Sequence, residues 1–372
     1  MSMTLARIKG YIPSPMLSAL SWGYHLVKPA TLIPFDRAFD RAVRFNETIA
    51  QPVEIPEVLA MELEEAACYL QSRIYWIPKD YGALVRDAGY CSVNNVVMTS
   101  QGAVVAESLS TGLDLTSVPV RKKEALAGYY ALWRSRKNGH YHTLIDNLPR
   151  LLSLRASPFA ELDTIKLLCP GSLSPVESYL LERFCPENVE IFSPPAGPRY
   201  RLENLVFTPF KTRRFAGYLP QRYAEPIRSI LLPKRPSTRA GRLFISRENA
   251  PKRTISNQPA LCKALARRGF EKVILEDLPF EEQIQRFYDA EVIVGPHGAG
   301  LANMLFANPG TVVELFPSPF LAPHYFYLSK SLGHRYAYWC GSRDFRHDAF
   351  EVDVSAVCAM LDRMGIRERK TT

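Results

Sequence analysis

The sequence has no run of the roughly 18 to 20 uninterrupted apolar residues that a bilayer-spanning helix requires, so none of its 372 residues read as such a helix. Its seven cysteines (Cys68, Cys91, Cys169, Cys185, Cys262, Cys340 and Cys358) are odd in number, widely scattered and never in a CxxC pair. That pattern argues against a disulfide framework and for buried free thiols in a reducing cytoplasm. Zinc-finger spacing, an RNA-recognition signature and a concentrated basic arm are all missing, so nucleic acid is not an expected partner. A DxD pair, the usual anchor for a divalent metal on a diphosphate, occurs nowhere in the chain. There is no internal repeat and no low-complexity tract.

What is present is the composition of an ordinary soluble globular protein, 47% hydrophobic and 22% charged. The length suits about two domains. A formal charge of +9 favours anionic partners, among them phosphorylated sugars and anionic lipid headgroups. Residues 1–34 mix Arg7, Lys9, His25 and Lys28 with Leu, Trp and Tyr, without a clean signal-peptide centre. They are expected to be mature sequence, either a helix packed on the first domain or a peripheral contact with a membrane surface.

Short apolar runs alternate with helical patterns from 242 to 340, the mark of a parallel sheet covered by helices. Strands are predicted at 243–246, 272–275, 292–295 and 311–316. Helices are predicted at 257–268, with Asn257 as N-cap and Gly269 as stop, at 280–290 and at 299–307. The first half is less regular, with strands at 95–98, 104–106, 129–133, 165–168 and 205–207 and helices at 142–154, 175–184 and 223–231. The proline-rich, basic stretch 233–242 reads as a linker. The pattern divides the chain into an N-terminal Rossmann-like domain at 1–232, a C-terminal one at 233–340, and a tail at 341–372 whose helical periodicity could carry it back to the first domain.

Four segments carry candidate chemistry. VGPHGAGLANML, at 294–305, places His297, Gly298, Ala299 and Gly300 between a strand and a helix start, where free backbone amides attract an anion such as a diphosphate. The glycines do not form GxGxxG and no Walker lysine follows, which removes the dinucleotide and P-loop readings. A tight turn beside a core histidine is the plainer alternative. RLFISRENAPKR, at 242–253, puts Ser246 and Arg247 at a strand's carboxyl end, with Lys252 and Arg253 close behind. Guanidinium groups there suit phosphate oxygens, because ligands of open α/β sheets bind beyond the carboxyl ends of strands; a solvated basic loop is the alternative. Glu314 ends another strand and could accept from a ribose or simply face water. HYHTLIDNLPR, at 140–150, sets His142 and Asp146 four apart on one helical face, so that one could orient the other as a general base. Zinc on His140 and His142 lacks a third ligand.

These segments, together with GPHGAGLANMLFANPGTVVELFP, resemble the family 61 glycosyltransferases over roughly residues 127–317. The resemblance implies an α/β, GT-B-like fold of two Rossmann-like domains facing a central cleft, and inverting, metal-independent transfer from a nucleotide sugar, expected to be a UDP-sugar, with no cofactor. It places the donor on Ser246, Arg247, Arg253, His297, Gly298, Ala299, Gly300, Asn303 and Glu314, with His142 and Asp146 on the acceptor side and Asp146 as base. Thr143 stands where the family usually has an aromatic residue, and Gln258 where a glutamate is common. Without an anchor the chain is similar to bacterial members that build surface polysaccharide on a saccharide or lipid-linked saccharide acceptor, in the cytoplasm or on the inner face of the membrane. A catalytically silent nucleotide- or sugar-binding subunit of a polysaccharide assembly complex is the rival reading.

Overall fold

The computed structural model describes residues 27–29, 31–54, 59–60, 74–109, 117–119, 123–134, 139–195, 199–211, 217–317, 322–341 and 349–369. The packed helix or membrane contact expected of 1–34 falls for the most part outside the described residues.

Two sheets organise the chain. The first has nine strands. Its centre is β1 (Asp80–Cys91), β2 (Lys123–Leu132), β3 (Ile165–Leu168), β4 (Val189–Phe192) and β5 (Arg199–Phe207), in the order β4-β3-β2-β5-β1. β2 runs parallel to β3 and β5, and β3 runs parallel to β4. β1 closes this parallel block antiparallel to β5. Short strands at Val96–Met98, Val104–Val105 and Leu32–Ile33 continue the sheet, and Val43–Thr48 also pairs with β1. Helices α1 (Leu148–Ser153), α2 (Pro175–Phe184) and α3 (Gln221–Leu231) belong to this half. Ser174 starts α2 with a capping box, its hydroxyl accepting from the Glu177 amide while the Glu177 carboxylate accepts from the Ser174 amide.

The second sheet is parallel throughout. It contains β6 (Gly241–Ser246), β7 (Glu271–Ile274), β8 (Ala290–Pro296), β9 (Thr311–Phe316) and β10 (Arg335–Cys340), in the order β7-β6-β8-β9-β10. The strands connect through α4 (Gln258–Ala266), α5 (Phe280–Tyr288), a 3-10 helix at Ala299–Phe306 and α6 (His324–Ser331). Strands buried on both faces read as near-continuous apolar runs, and all six residues of β9 are buried. The order reverses between β6 and β8, which makes their carboxyl ends the topological switch point where ligands of such sheets bind.

Three features depart from the sequence reading. Leu59–Ala60 adds a sixth strand beside β10, so a piece of the first 232 residues lies in the second sheet. Asn257 holds the N-cap position of α4, but its side chain makes no capping bond; its amide group instead pairs with both backbone groups of Val352 at 2.8 and 3.0 Å. The final helix α7 (Val354–Arg363) does not cross back to the first half. It buries Val357, Met360 and Leu361 against the second sheet and α4, and Arg268 grips Asp362 through two bonds of 3.0 Å. A helix follows its apolar face, and the apolar surface left on α4 and β10 is what that face meets. Gly269 ends the α4 segment with φ of +75°, as a helix stop requires. The linker is pinned rather than loose, since Arg235 binds Asp289 through both terminal nitrogens and the Ser237 hydroxyl donates to the Tyr288 carbonyl.

The largest apolar cluster is continuous between the halves. It runs from Leu144, Ile145 and Leu148 to Leu301, Phe306 and Tyr325. The first-half motif at 140–150 thus shares a core with the helix that opens from the glycine loop, and His140 meets Asn303 of that helix.

Candidate functional site

β6 and β8 deliver the two halves of the crevice floor. Beyond β8 the chain reads His297 and Gly298 and then enters the 3-10 helix at Ala299; Gly298, Ala299 and Gly300 line a pocket with Ser246 and Arg247 from the end of β6, and His297 lines the adjoining one. Two of the glycines have separate steric reasons. A Cβ at Gly300 would fall 2.6 Å from Leu275 Cδ1, so this position sets the closeness of helix and sheet. At Gly298 a Cβ would fall 2.2 Å from Arg247 Nη1, so the guanidinium lies directly over the glycine. Two hydrogen bonds to the Lys252 carbonyl, 3.1 and 3.3 Å, hold Arg247 in that pose. Burial lowers the Arg247 pKa, with a further push from Arg253. These two cations repel each other unless an anion joins them.

The Gly298 backbone is extended, at φ 179°, and tolerates any side chain, while the blocking group is the far end of a flexible arginine. Gly298→Ala should consequently keep the melting temperature of the parent and move Arg247 aside. Loss of one charge-assisted contact should weaken binding of a diphosphate anion by about tenfold or more, measured by calorimetry; unchanged affinity would remove Arg247 from the anion site.

The opposite wall comes from the first half. Residues His142–Asn147 form a π-helix running into α1, and this wider turn occurs often at functional sites. His142 Nδ1 meets Asp146 Oδ2 at 2.6 Å. His142 then lines one crevice with Arg253, His297, Gly298, Ala299, His324 and Tyr325. Asp146 is almost fully buried behind it. Four residues further on, Arg150 is also buried; its Nε donates to the Thr208 carbonyl at 2.9 Å and its guanidinium lies over Phe210. Burial lowers the Arg150 pKa to about 10 against the opposing pull of Asp146.

The structure gives the other expected site residues different surroundings. Ser246 reaches the crevice floor, yet its hydroxyl donates to Gln258 at 3.1 Å, and Gln258 in turn donates to Glu248 at 2.5 Å. Gln258 thus has a bracing role on the floor. Arg253 lines the crevice from a left-handed backbone, φ +58°, uncommon for a residue with a side chain. Lys252 is exposed and contributes its carbonyl rather than its ammonium.

Neither Asn303 nor Glu314 lines the crevice. Both have 0% exposure. Asn303 donates to Gln283 at 2.8 Å and meets His140 Nε2 at 2.5 Å, tying the first half to α5. Glu314 pairs with His297 Nδ1 at 2.5 Å and accepts from the Tyr336 hydroxyl at 2.5 Å, so neither oxygen faces a ribose. For Glu314 the physical reason is the strand itself: β9 is interior to the sheet, paired on both sides by β8 and β10, and all six of its residues are buried. His140 and His142 turn to different partners, Asn303 and Asp146, and do not converge on a common point.

Several lining residues escaped the sequence reading. Glu276 follows β7 and faces the crevice together with His140, Arg247 and Gly300. An acidic side chain at the end of the second strand of such a unit is where a ribose is commonly held, and that positional signal was available in the sequence. His324 and Tyr325 on α6 also line the crevice, with no pattern around them that marks them out.

The fold and the crevice define an α/β protein whose parallel sheet presents an anion-suited switch point to a histidine–carboxylate pair from its other half. Residues 140–313 match the family model described as Glycosyltransferase 61. Over 64 residues the chain is 34% identical to a beta-1,2-xylosyltransferase of Arabidopsis thaliana, covering 17% of this chain and 12% of that protein. The matched stretch thus spans about an eighth of that relative's length. The family match runs from His140 into β9 and includes His142, Arg247, Arg253 and His297, while His324 and Tyr325 lie beyond it.

Proposed function

We propose that this protein is an inverting, metal-independent glycosyltransferase that moves a hexosyl or pentosyl group from a nucleotide sugar, a UDP-sugar in the first instance, to a saccharide or lipid-linked saccharide acceptor. The observation that carries this reading is a pair of adjoining pockets that share Gly298 and Ala299, one lined by Arg247 and the other by Arg253, His297 and the His142 ring that Asp146 holds. Guanidinium groups, an imidazole and backbone amides fit a departing diphosphate, and preorganised groups of this kind supply much of the catalysis of such displacements. The similarity to a beta-1,2-xylosyltransferase supports pentosyl transfer in particular.

In this reading the halves act as a GT-B pair, the acceptor side built from 1–232 and the donor side from 233–340. Of the tail, α7 goes with the donor side, on its packing against the second sheet. Glu276, rather than Glu314, takes the ribose. His142 is the base and Asp146 its positioning partner, because the imidazole lines the crevice whereas the carboxylate lies buried behind it. The acceptor hydroxyl gives its proton to His142 Nε2 as its oxygen attacks the anomeric carbon from the face opposite the diphosphate. The bond to the diphosphate breaks, and the electron pair leaves with that group. Work on cell-surface polysaccharide at the inner face of a bacterial membrane is the setting we propose, on the +9 charge and the resemblance of the motifs.

The test is a melting-temperature panel with UDP, GDP, CDP, CMP and NAD, each with and without magnesium, on the parent and on Arg247→Ala. Stabilisation by one nucleoside diphosphate, indifferent to magnesium and lost in the variant, is expected. Stabilisation by NAD alone, or by no nucleotide, would overturn the assignment.

A further inference from the structure

His297 sits between two sources of negative charge, one of them built in. Its Nδ1 meets Glu314 Oε1 at 2.5 Å, and Tyr336 donates to the other carboxylate oxygen. With Oε2 occupied by that hydroxyl, Oε1 is left to accept from Nδ1–H, which points the second ring nitrogen, Nε2, away from the sheet and toward the crevice. The ring is clamped in this direction by stacking on Phe316 at 5.2 Å and by the edge of Tyr325 at 5.4 Å. Glu314 has 0% exposure, and among the described residues His297 is its ion-pair partner.

A buried carboxylate holding one nitrogen of a ring and a diphosphate arriving at the other can share that ring favourably only if it carries a proton on each nitrogen. A lone pair on Nε2 would face phosphate oxygens, which only accept hydrogen bonds. Among the described residues, the other charged or titratable groups around the ring are Arg253 from the loop after β6, Arg247 over Gly298, His324 and Tyr325 from α6, and Tyr141 beside His142. His142 stands on the opposite wall. Before the ligand arrives, Arg247 and Arg253 repel each other beside the ring. Once it is bound, they are neutralised by the same phosphates that attract the proton.

Building on the donor-site reading above, we propose that His297 takes up a proton from solvent when a nucleoside diphosphate binds, and as an imidazolium held by Glu314 and Tyr336 donates from Nε2 to the departing diphosphate. Glu314 and Tyr336 are positioning residues that act through His297. The arrangement places on a side chain part of the positive charge that a divalent ion supplies in metal-dependent transferases.

The experiment is titration calorimetry of the full chain with UDP, GDP and CDP, in buffers of low and high ionisation enthalpy, at a pH well above the ordinary imidazole range. There the terminal phosphate of the nucleotide is already fully ionised. The apparent binding heat should differ between buffers by an amount equal to roughly one proton taken up per nucleotide. His297→Gln should still bind, about tenfold or more weaker, and lose the buffer dependence. Glu314→Gln should reduce the uptake while leaving the parent's melting profile recognisable, and Tyr336→Phe should lie between that variant and the parent. Binding whose heat is the same in both buffers would overturn the proton uptake and leave the donor-site assignment standing. Uptake that persists in His297→Gln would move the proton to another group and overturn it as well. No binding of any of the three nucleotides would overturn this inference together with the donor site.

Discussion

His142→Ala should bind nucleotide as the parent does and transfer sugar about a thousandfold more slowly, the scale expected for removing a positioned general base. The imidazole lines the crevice, and the carboxylate that orients it lies nearly buried at 2.6 Å from Nδ1. The loss should therefore appear in kcat, with the KM for the donor unchanged, because the groups proposed for the diphosphate belong to the other sheet. Asp146→Asn should move kcat in the same direction by a smaller factor, since the ring is kept while its preferred tautomer is lost. Parent-like turnover in His142→Ala would remove the base from this residue. A low turnover in Asp146→Asn beside a normal one in His142→Ala would return the role to the carboxylate.

The second large effect is structural. Glu177→Ala should cost about 3 to 5 kcal/mol, the range for stripping one partner from a buried ion pair, measured by denaturant unfolding. Its carboxylate takes two bonds from Arg134, at 2.7 and 2.8 Å, and one from the Trp133 indole at 3.1 Å, while also closing the cap of α2. Arg134 further donates to the carbonyls of Pro170 and Ser172, so the end of β2 is fastened to the loop before α2. Burial raises the Glu177 pKa, but the bonds from Arg134 and from the Ser174 amide outweigh it and the net displacement is downward. A carboxylate lowered in the folded state contributes stability that is complete above its unfolded value and disappears as pH falls through the folded one. The difference in melting temperature between parent and Glu177→Gln should accordingly narrow below the ordinary carboxylate range. A difference that widened on acidification would contradict this account of the pair.

Much of the second sheet was legible before any coordinates. The strand at Thr311–Phe316 and the helix start at Ala299 lie where the apolar runs and the glycine loop placed them. Helix α2 likewise coincides with its expected range, because SPVE carries its own start signal. Parallel strands and capped helices announce themselves through local pattern, which neighbouring residues suffice to create. β1 was not legible. Asp80–Cys91 is a twelve-residue antiparallel strand with an irregular burial pattern, and what defines it is pairing with β5 more than a hundred residues away.

The residue types able to do the chemistry, and the local motifs that hold them, were determined by the sequence alone: an imidazole and a carboxylate four apart at 142 and 146, guanidinium groups after one strand, a glycine loop after another. Local geometry is enough to bring such neighbours together. Which of these groups face the crevice was decided only by the tertiary structure. Glu314 and Asn303 stand in the same motif as His297, yet burial turned the carboxylate into a holder of the imidazole and the amide into a tie to His140. Glu276 and Tyr336 acquired their places through packing across the sheet. Side chains on adjacent strands have no relation in sequence, and whether one meets solvent or a neighbour depends on what lies over it, which is settled when the two halves close on their common core.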